Sequence, residues 1–219
     1  MYGYLILFSF ALAPLSLSAQ AFEVSPYAGY YWPTDDNTGV GEFKSNQMFG
    51  VRGGGYITPS IEIGASYGWS NHFQPGSSNT AARFAGSLGF PQGAVRSHLW
   101  EGEFTYNLAK RNIFGSVVRP YIITGAGALT TNVRNGDTFV LNVRSIVTPT
   151  RMQFVPNDVL KSGDTFFTFG YGGGVKALRL WGPLGFFGDL RGRTVPNFFG
   201  HSTVWPEFSA GLSLSWGER

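Results

Sequence analysis

Asp189, Arg191 and Arg193 occupy every second position of FFGDLRGR, and Glu101 and Glu103 do the same in WEGEF. On an extended chain a spacing of two puts all members of each set on one face, so carboxylates and guanidinium groups gather there. Grouped charges of this kind can pair, pass ions or move protons. Histidine is the other chemical candidate, and the chain has three: His72, His98 and His201. Ser202 adjoins His201, but neighbours on a strand point to opposite faces, which argues against a base and nucleophile pair. No carboxylate motif completes a triad, and the histidine spacing has no metal-ligand pattern. With no cysteine in the chain, thiolate metal sites and a cysteine nucleophile are excluded. The reading is therefore no catalytic residue, no metal and no cofactor.

The elements that must position these charges are strands. Alternation and turn residues mark eight segments, about 23–33, 47–58, 61–73, 95–108, 118–131, 165–180, 184–196 and 204–216. Most are longer than the five or six residues usual for soluble strands, and long enough for a tilted membrane crossing, which needs roughly 9–11. The GGG runs at 53–55 and 172–174 lie inside these segments with no helix after them, so they mark close packing or bends and not a phosphate cradle. TPS and WGPLG make short connections, as does the link around 110–116; about 34–46, 74–94 and 132–164 make long ones, and 197–203 is the shortest of that set. Alternate connections of an up-and-down barrel lie at the same end, so short turns and both termini share one end. Asn135-Gly136 between two alternating runs predicts a hairpin within 132–164. It extends the wall of an eight-stranded barrel or raises the count to ten.

Parity decides which face is outside. One face carries Val24, Pro26, Ala28, Tyr30 and Trp32; Phe49, Val51 and Ile57; alternate residues from Ile61 to Trp69; Trp100, Phe104, Tyr106 and Leu108; Tyr121, Ile123 and Leu129; Phe167, Phe169, Tyr171 and Val175; Leu184, Phe186 and Leu190; and Phe208 to Trp216. The other face is mainly Gly, Ser and Thr with a few charges. Charged residues are 13% of the chain, about half the roughly 25% of soluble domains, too few to coat a water-facing barrel. The apolar face is therefore outside and meets lipid. The aromatics near segment ends, Tyr30, Trp32, Trp69, Trp100, Tyr121, Trp181, Trp205 and Trp216, are read as interface girdles.

The inward face then holds Arg52, Glu62, Glu101, Glu103, Lys176, Asp189, Arg191, Arg193 and Glu207. Residue counts from the short-turn end at about 3.3 Å per residue set Arg52, Glu103, Lys176 and Asp189 at one level. Glu101 and Arg191 come next, then Arg193 and Glu207. Opposite signs share each level, which predicts a salt-bridged lumen, with Arg193–Glu207 on neighbouring strands as the leading pair. The alternative is a set of separately hydrated charges.

VSPYAGYYWP, RPYIITGAGA, FGYGGGVKALRL, FFGDLRGR and FSAGLSLSW together resemble the outer-membrane β-barrel domain family, the small barrels similar to the membrane domain of outer membrane protein A. The resemblance spans the chain after residue 21. It implies an all-β transmembrane antiparallel up-and-down barrel, assembled by the barrel-assembly machinery and surrounded by outer-membrane lipid and lipopolysaccharide. Gly217, Glu218 and Arg219 follow the aromatic Trp216 on which such chains usually end.

Residues 1–21 are an apolar run closing on Ala19-Gln20-Ala21, read as a signal peptide cleaved near Ala21 although the run lacks Lys and Arg. The barrel domain is then 22–219, in the outer membrane of a Gram-negative-type cell. Scattered bases and a net charge of +3 give no nucleic-acid footprint. The expected function is a non-enzymatic structural or surface-interaction barrel with extracellular loops and an unnamed external partner. The alternatives are a narrow ion or small-solute channel, a lipid-modifying barrel enzyme and a soluble lipocalin-like carrier.

Overall fold

The computed structural model describes residues 21–32, 43–73, 79–108, 111–113, 116–148 and 151–217. Ten strands and one helix are present among them. The strands are β1 (Phe22–Tyr31), β2 (Asn46–Tyr56), β3 (Ile61–Ser70), β4 (Gln92–Asn107), β5 (Arg111–Ile113), β6 (Ser116–Thr148), β7 (Arg151–Lys161), β8 (Thr165–Trp181), β9 (Leu184–Phe198) and β10 (His201–Trp216). Every pairing is antiparallel. Eight strands close a ring in the order β1-β2-β3-β4-β6-β8-β9-β10, with Phe22 opposite Trp216 at the seam. The ring abolishes free edges. β5 is a short annex on the start of β6, and β7 pairs with the distal part of β6 outside the ring.

Local chemistry accounts for the turns. Between β2 and β3, Thr58 Oγ1 accepts the Ile61 N–H at 3.0 Å. Gly182 supplies a positive φ of 63° between β8 and β9. Phe199 and Gly200, at φ 53° and 82°, make a two-residue hairpin between Phe198 and His201, both central residues being left-handed as a type I′ turn requires. The connection expected over 197–203 is therefore minimal.

Two local expectations are corrected. The hairpin in 132–164 turns between Thr148 and Arg151, not at Asn135-Gly136. The ladder to β4 passes from Ala94↔Arg134 to Gln92↔Phe139, so Asn135-Gly136 falls within a bulge of β6. The connection expected over 74–94 contains helix α1 (Thr80–Ser87), whose first turn is capped by Asn79 Oδ1 accepting the Ala82 N–H at 2.9 Å. No described helix is long and apolar enough to cross a membrane. Of the expected leader only Ala21 is described; its carbonyl accepts the Tyr56 N–H.

Polarity is inverted relative to a water-facing barrel. Phe22, Ile63, Trp100, Phe104, Phe167, Leu190, Phe208 and Trp216 are exposed on the outer face, while 11 charged side chains are buried inside. Above the charges, toward the long-loop end, the interior turns apolar. Tyr31, Phe43, Phe73, Leu99, Leu129, Val195, Phe198 and Trp205 form a buried cap there.

Candidate functional site in the barrel lumen

The inward rows of the eight wall strands meet in three groups of charge. Nearest the termini, Lys176 Nζ lies 2.7 Å from Glu62 and 3.3 Å from Glu23. Tyr56 and Ser25 hydroxyls donate to the same Glu23 carboxylate at 2.9 and 3.1 Å.

The second group is a four-membered ring of alternating charge. Arg52 spans Glu103 and Asp189 at 3.0 Å each, and Arg191 spans the same two carboxylates at 2.7 and 3.1 Å. Ser66 donates to Glu103 at 2.9 Å, and Tyr121 and Ser209 donate to Asp189, Tyr121 at 2.8 Å. The Lys176 ammonium sits 5.1 Å from the centroid of the Tyr121 ring, so this one tyrosine links the first two groups.

In the third group Arg193 is held by two carboxylates. Its Nε and Nη2 donate to Glu207 at 2.6 and 2.9 Å, and Nη1 and Nη2 donate to Glu101, Nη2 at 2.9 Å. Trp205 Nε1 donates to Glu207 at 3.0 Å. The planar guanidinium, with five donors in a rigid fork, suits this double clamp in a way an ammonium cannot.

All nine charges placed inward by alternation lie in the lumen. The pairing differs from the level count in two places. Lys176 pairs with Glu23 and Glu62 and not with the Arg52 level, and Arg191 pairs with Glu103 and Asp189 and not with Glu101. Strand tilt and stagger displace neighbouring strands along the axis, so equal counts from the turns are not equal heights. Glu23 and Arg119, also buried, were missed. Glu23 shares the parity of Ser25 in β1 and was legible; Arg119 was hidden by a wrong face for its strand.

That error concerns β6. Tyr121, Ile123 and Leu129 face inward and Ile122 faces out. Both rows of RPYIITGAGAL are apolar or small, so counting apolar residues does not discriminate between them. Tyr121 is thus not a girdle residue: it is 2% exposed and its hydroxyl is spent on Asp189. Trp205 is corrected likewise; it is 3% exposed and bonded to Glu207, whose parity it shares. Tyr30, Trp32, Trp69, Trp100, Trp181 and Trp216 are on the outer side or at its ends. Of the histidines, His98 is on the outer wall with Nδ1 2.7 Å from the Tyr67 hydroxyl, while His72 and His201 are exposed. Among the described residues no three His, Asp or Glu side chains are placed to hold a metal ion.

Small cavities lie among the described lumen residues. A cavity of about 20 Å³ lies between Arg193, Glu207, Trp205 and the apolar cap, and one of about 10 Å³ lies between the second and third charge groups. Each has room for about one water molecule.

No protein-family model and no curated protein matches the chain. Solved structures do. Neisserial surface protein A is similar over 89% of this chain and 97% of its own, at 13% identity and a TM-score of 0.58. The N-terminal β-barrel domain of Pseudomonas aeruginosa OprF matches over 91% of this chain and 100% of its own, at 11% identity and a TM-score of 0.47. A major outer membrane protein of Thermus thermophilus matches over 90% of this chain and 99% of its own, at 12% identity and a TM-score of 0.41. At such identities the likeness is one of architecture, and with the ring order and inverted polarity it gives the chain the eight-stranded up-and-down fold of small outer-membrane β-barrels.

Proposed function

We propose that the chain is a closed, non-enzymatic outer-membrane barrel that stabilises the envelope and displays its long-loop end outside the cell. The observation that carries this reading is the lumen: Arg52, Lys176, Arg191 and Arg193 are each held by two carboxylates, and the cavities beside the Arg193 clamp are of water size. An eight-stranded ring is just wide enough for side chains to fill, and the apolar cap adds a second closure. This supports a structural barrel over a channel. The apolar outer wall supports residence in lipid over a soluble carrier, because water would penalise so much exposed Phe and Trp.

On this reading Trp216, at the end of the last strand, belongs to the signal seen by the assembly machinery, and residues 1–21 are the exported leader. Expression of the full chain in a Gram-negative host tests it. The expected product fractionates with outer membranes, migrates faster on SDS gels before boiling than after, and gives no steady conductance in planar bilayers. A soluble periplasmic product without a mobility shift would return the carrier reading, and a stable conductance would return the channel.

A further inference from the structure

The outward rows of β3, β4, β6 and β8 align through their registers into one column on the outer wall. At its top, Arg96 stands opposite Asn132 and Arg134 opposite Ala94, which makes the two arginines diagonal neighbours on adjacent strands. Neither forms an ion pair among the described residues. Two residues further along, His98 lies beside Trp69 and Thr130. Next comes an aromatic shelf: the Tyr67 and Trp100 rings are 4.2 Å apart, and the Tyr67 hydroxyl meets His98 at 2.7 Å. Below the shelf the wall opens into a groove of about 350 Å³ lined by Ile63, Gly102, Phe104, Thr124, Ala126 and Phe169. The groove is open and shallow along the wall.

A Cβ on Gly102 would have no neighbour nearer than the Ala126 carbonyl oxygen at 4.0 Å, so the barrel itself does not require glycine there. The column also has the dimensions of a lipid. Six residues separate Arg96 from Gly102, about 20 Å along the strand. At a tilt near 40° that is about 15 Å of depth, half of a hydrocarbon core roughly 30 Å thick.

We propose that this column seats one phosphorylated saccharolipid of the outer leaflet. An acyl chain fills the groove over Gly102 and Ala126, the sugar rests on the Tyr67–His98–Trp100 shelf, and a phosphate is held by Arg96 and Arg134. Guanidinium forks match phosphate oxygens bidentately, and amphipathic aromatics belong at the depth between headgroup and chain. The assignment rests on the outer-membrane reading above and names a lipid partner for it.

Native mass spectrometry of the detergent-purified full chain, titrated with bis-phosphorylated lipid A, tests the proposal. Wild type is expected to take up one lipid A saturably, and both Gly102→Phe and the double variant Arg96→Gln/Arg134→Gln are expected to bind at least ten-fold more weakly. Lipid A stripped of its phosphates should bind wild type weakly but the double variant no worse than intact lipid A does. Unheated gel mobility is read on every sample. A folded wild type with no saturable adduct, equal uptake of phosphatidylglycerol, or variants that bind like wild type would each overturn the lipid seat and leave the barrel standing. A wild type with no heat-modifiable band would overturn both.

Discussion

Arg193 on β9 meets Glu101 on β4 across the lumen, with Nη2 2.9 Å from Oε2, while the same guanidinium is clamped by Glu207 on the neighbouring strand β10. One cation thus ties together wall segments that share no backbone hydrogen bond. Removing one partner of a buried ion pair costs about 3–5 kcal/mol, because the other charge is left uncompensated. Arg193→Met is expected to lower the unfolding free energy by about that amount. The triple variant Arg193→Met/Glu101→Gln/Glu207→Gln should recover most of it, as measured by guanidinium-induced unfolding in micelles. A lumen of separately hydrated charges predicts no recovery.

Tyr121 offers a sharper test, since it distinguishes a lumen residue from a girdle residue. Tyr121→Phe deletes one hydrogen bond to a buried carboxylate and keeps the ring under Lys176. The expected loss is about 1.5–3 kcal/mol of barrel stability, the range for hydrogen bonds to charged groups. Trp181→Phe, on an exposed ring of the outer side, should leave the same unfolding midpoint unchanged.

The glycines of the two wall faces should respond oppositely to a methyl group. A Cβ on Gly127 would penetrate the Trp100 carbonyl oxygen, whereas one on Gly53 meets nothing nearer than 4.0 Å. Gly127→Ala is expected to give no fast-migrating folded band. Gly53→Ala should fold, and should be neutral or slightly stabilising, since strand glycines weaken a sheet.

Phe198 is the hub of the apolar cap, with ring centroids of Phe43, Phe73, Phe166 and Phe199 all within 6.2 Å. Truncation to alanine removes a buried ring, a change that costs about 3–5 kcal/mol in packed cores. Phe198→Ala should therefore destabilise the barrel as much as breaking the Arg193 clamp does. Because the charge groups below stay paired, it should still give no steady conductance.

The legible parts of this molecule are those where one face differs chemically from the other. In β3, Glu62 and Ser66 alternate with Ile63, Tyr67 and Trp69, and both strand and facing follow directly. In β9, Asp189, Arg191 and Arg193 announce the lumen. β6 is where reading by pattern stops working: Ile122 and Ile123 are equally apolar on opposite faces, and only the closed ring tells that Tyr121 is needed inside to fill space beside Asp189. Strand ends at the short turns were readable because turn residues such as Thr58 and Gly182 act locally, whereas the far end of β6, expected near 131, lies at Thr148. Heights were not, because stagger is a property of the closed ring and no single strand encodes it. Asn135-Gly136 is a turn sequence that long-range pairing with β4 overrode, turning it into a bulge. Helix α1 was readable after the fact from Asn79 capping an alanine-rich turn, but at eight residues it is too short to show a hydrophobic period.

The ladder formed by Thr138–Thr148 and Arg151–Lys161 is backbone-paired beyond the ring, with Val147 and Met152 exposed near its turn. Ordering a residue costs about 1–2 kcal/mol of conformational entropy, and for this hairpin that cost is met when the barrel folds. A molecule arriving from outside would encounter a pre-shaped surface, so the free energy of its association would not be diminished by having to order a floppy loop first.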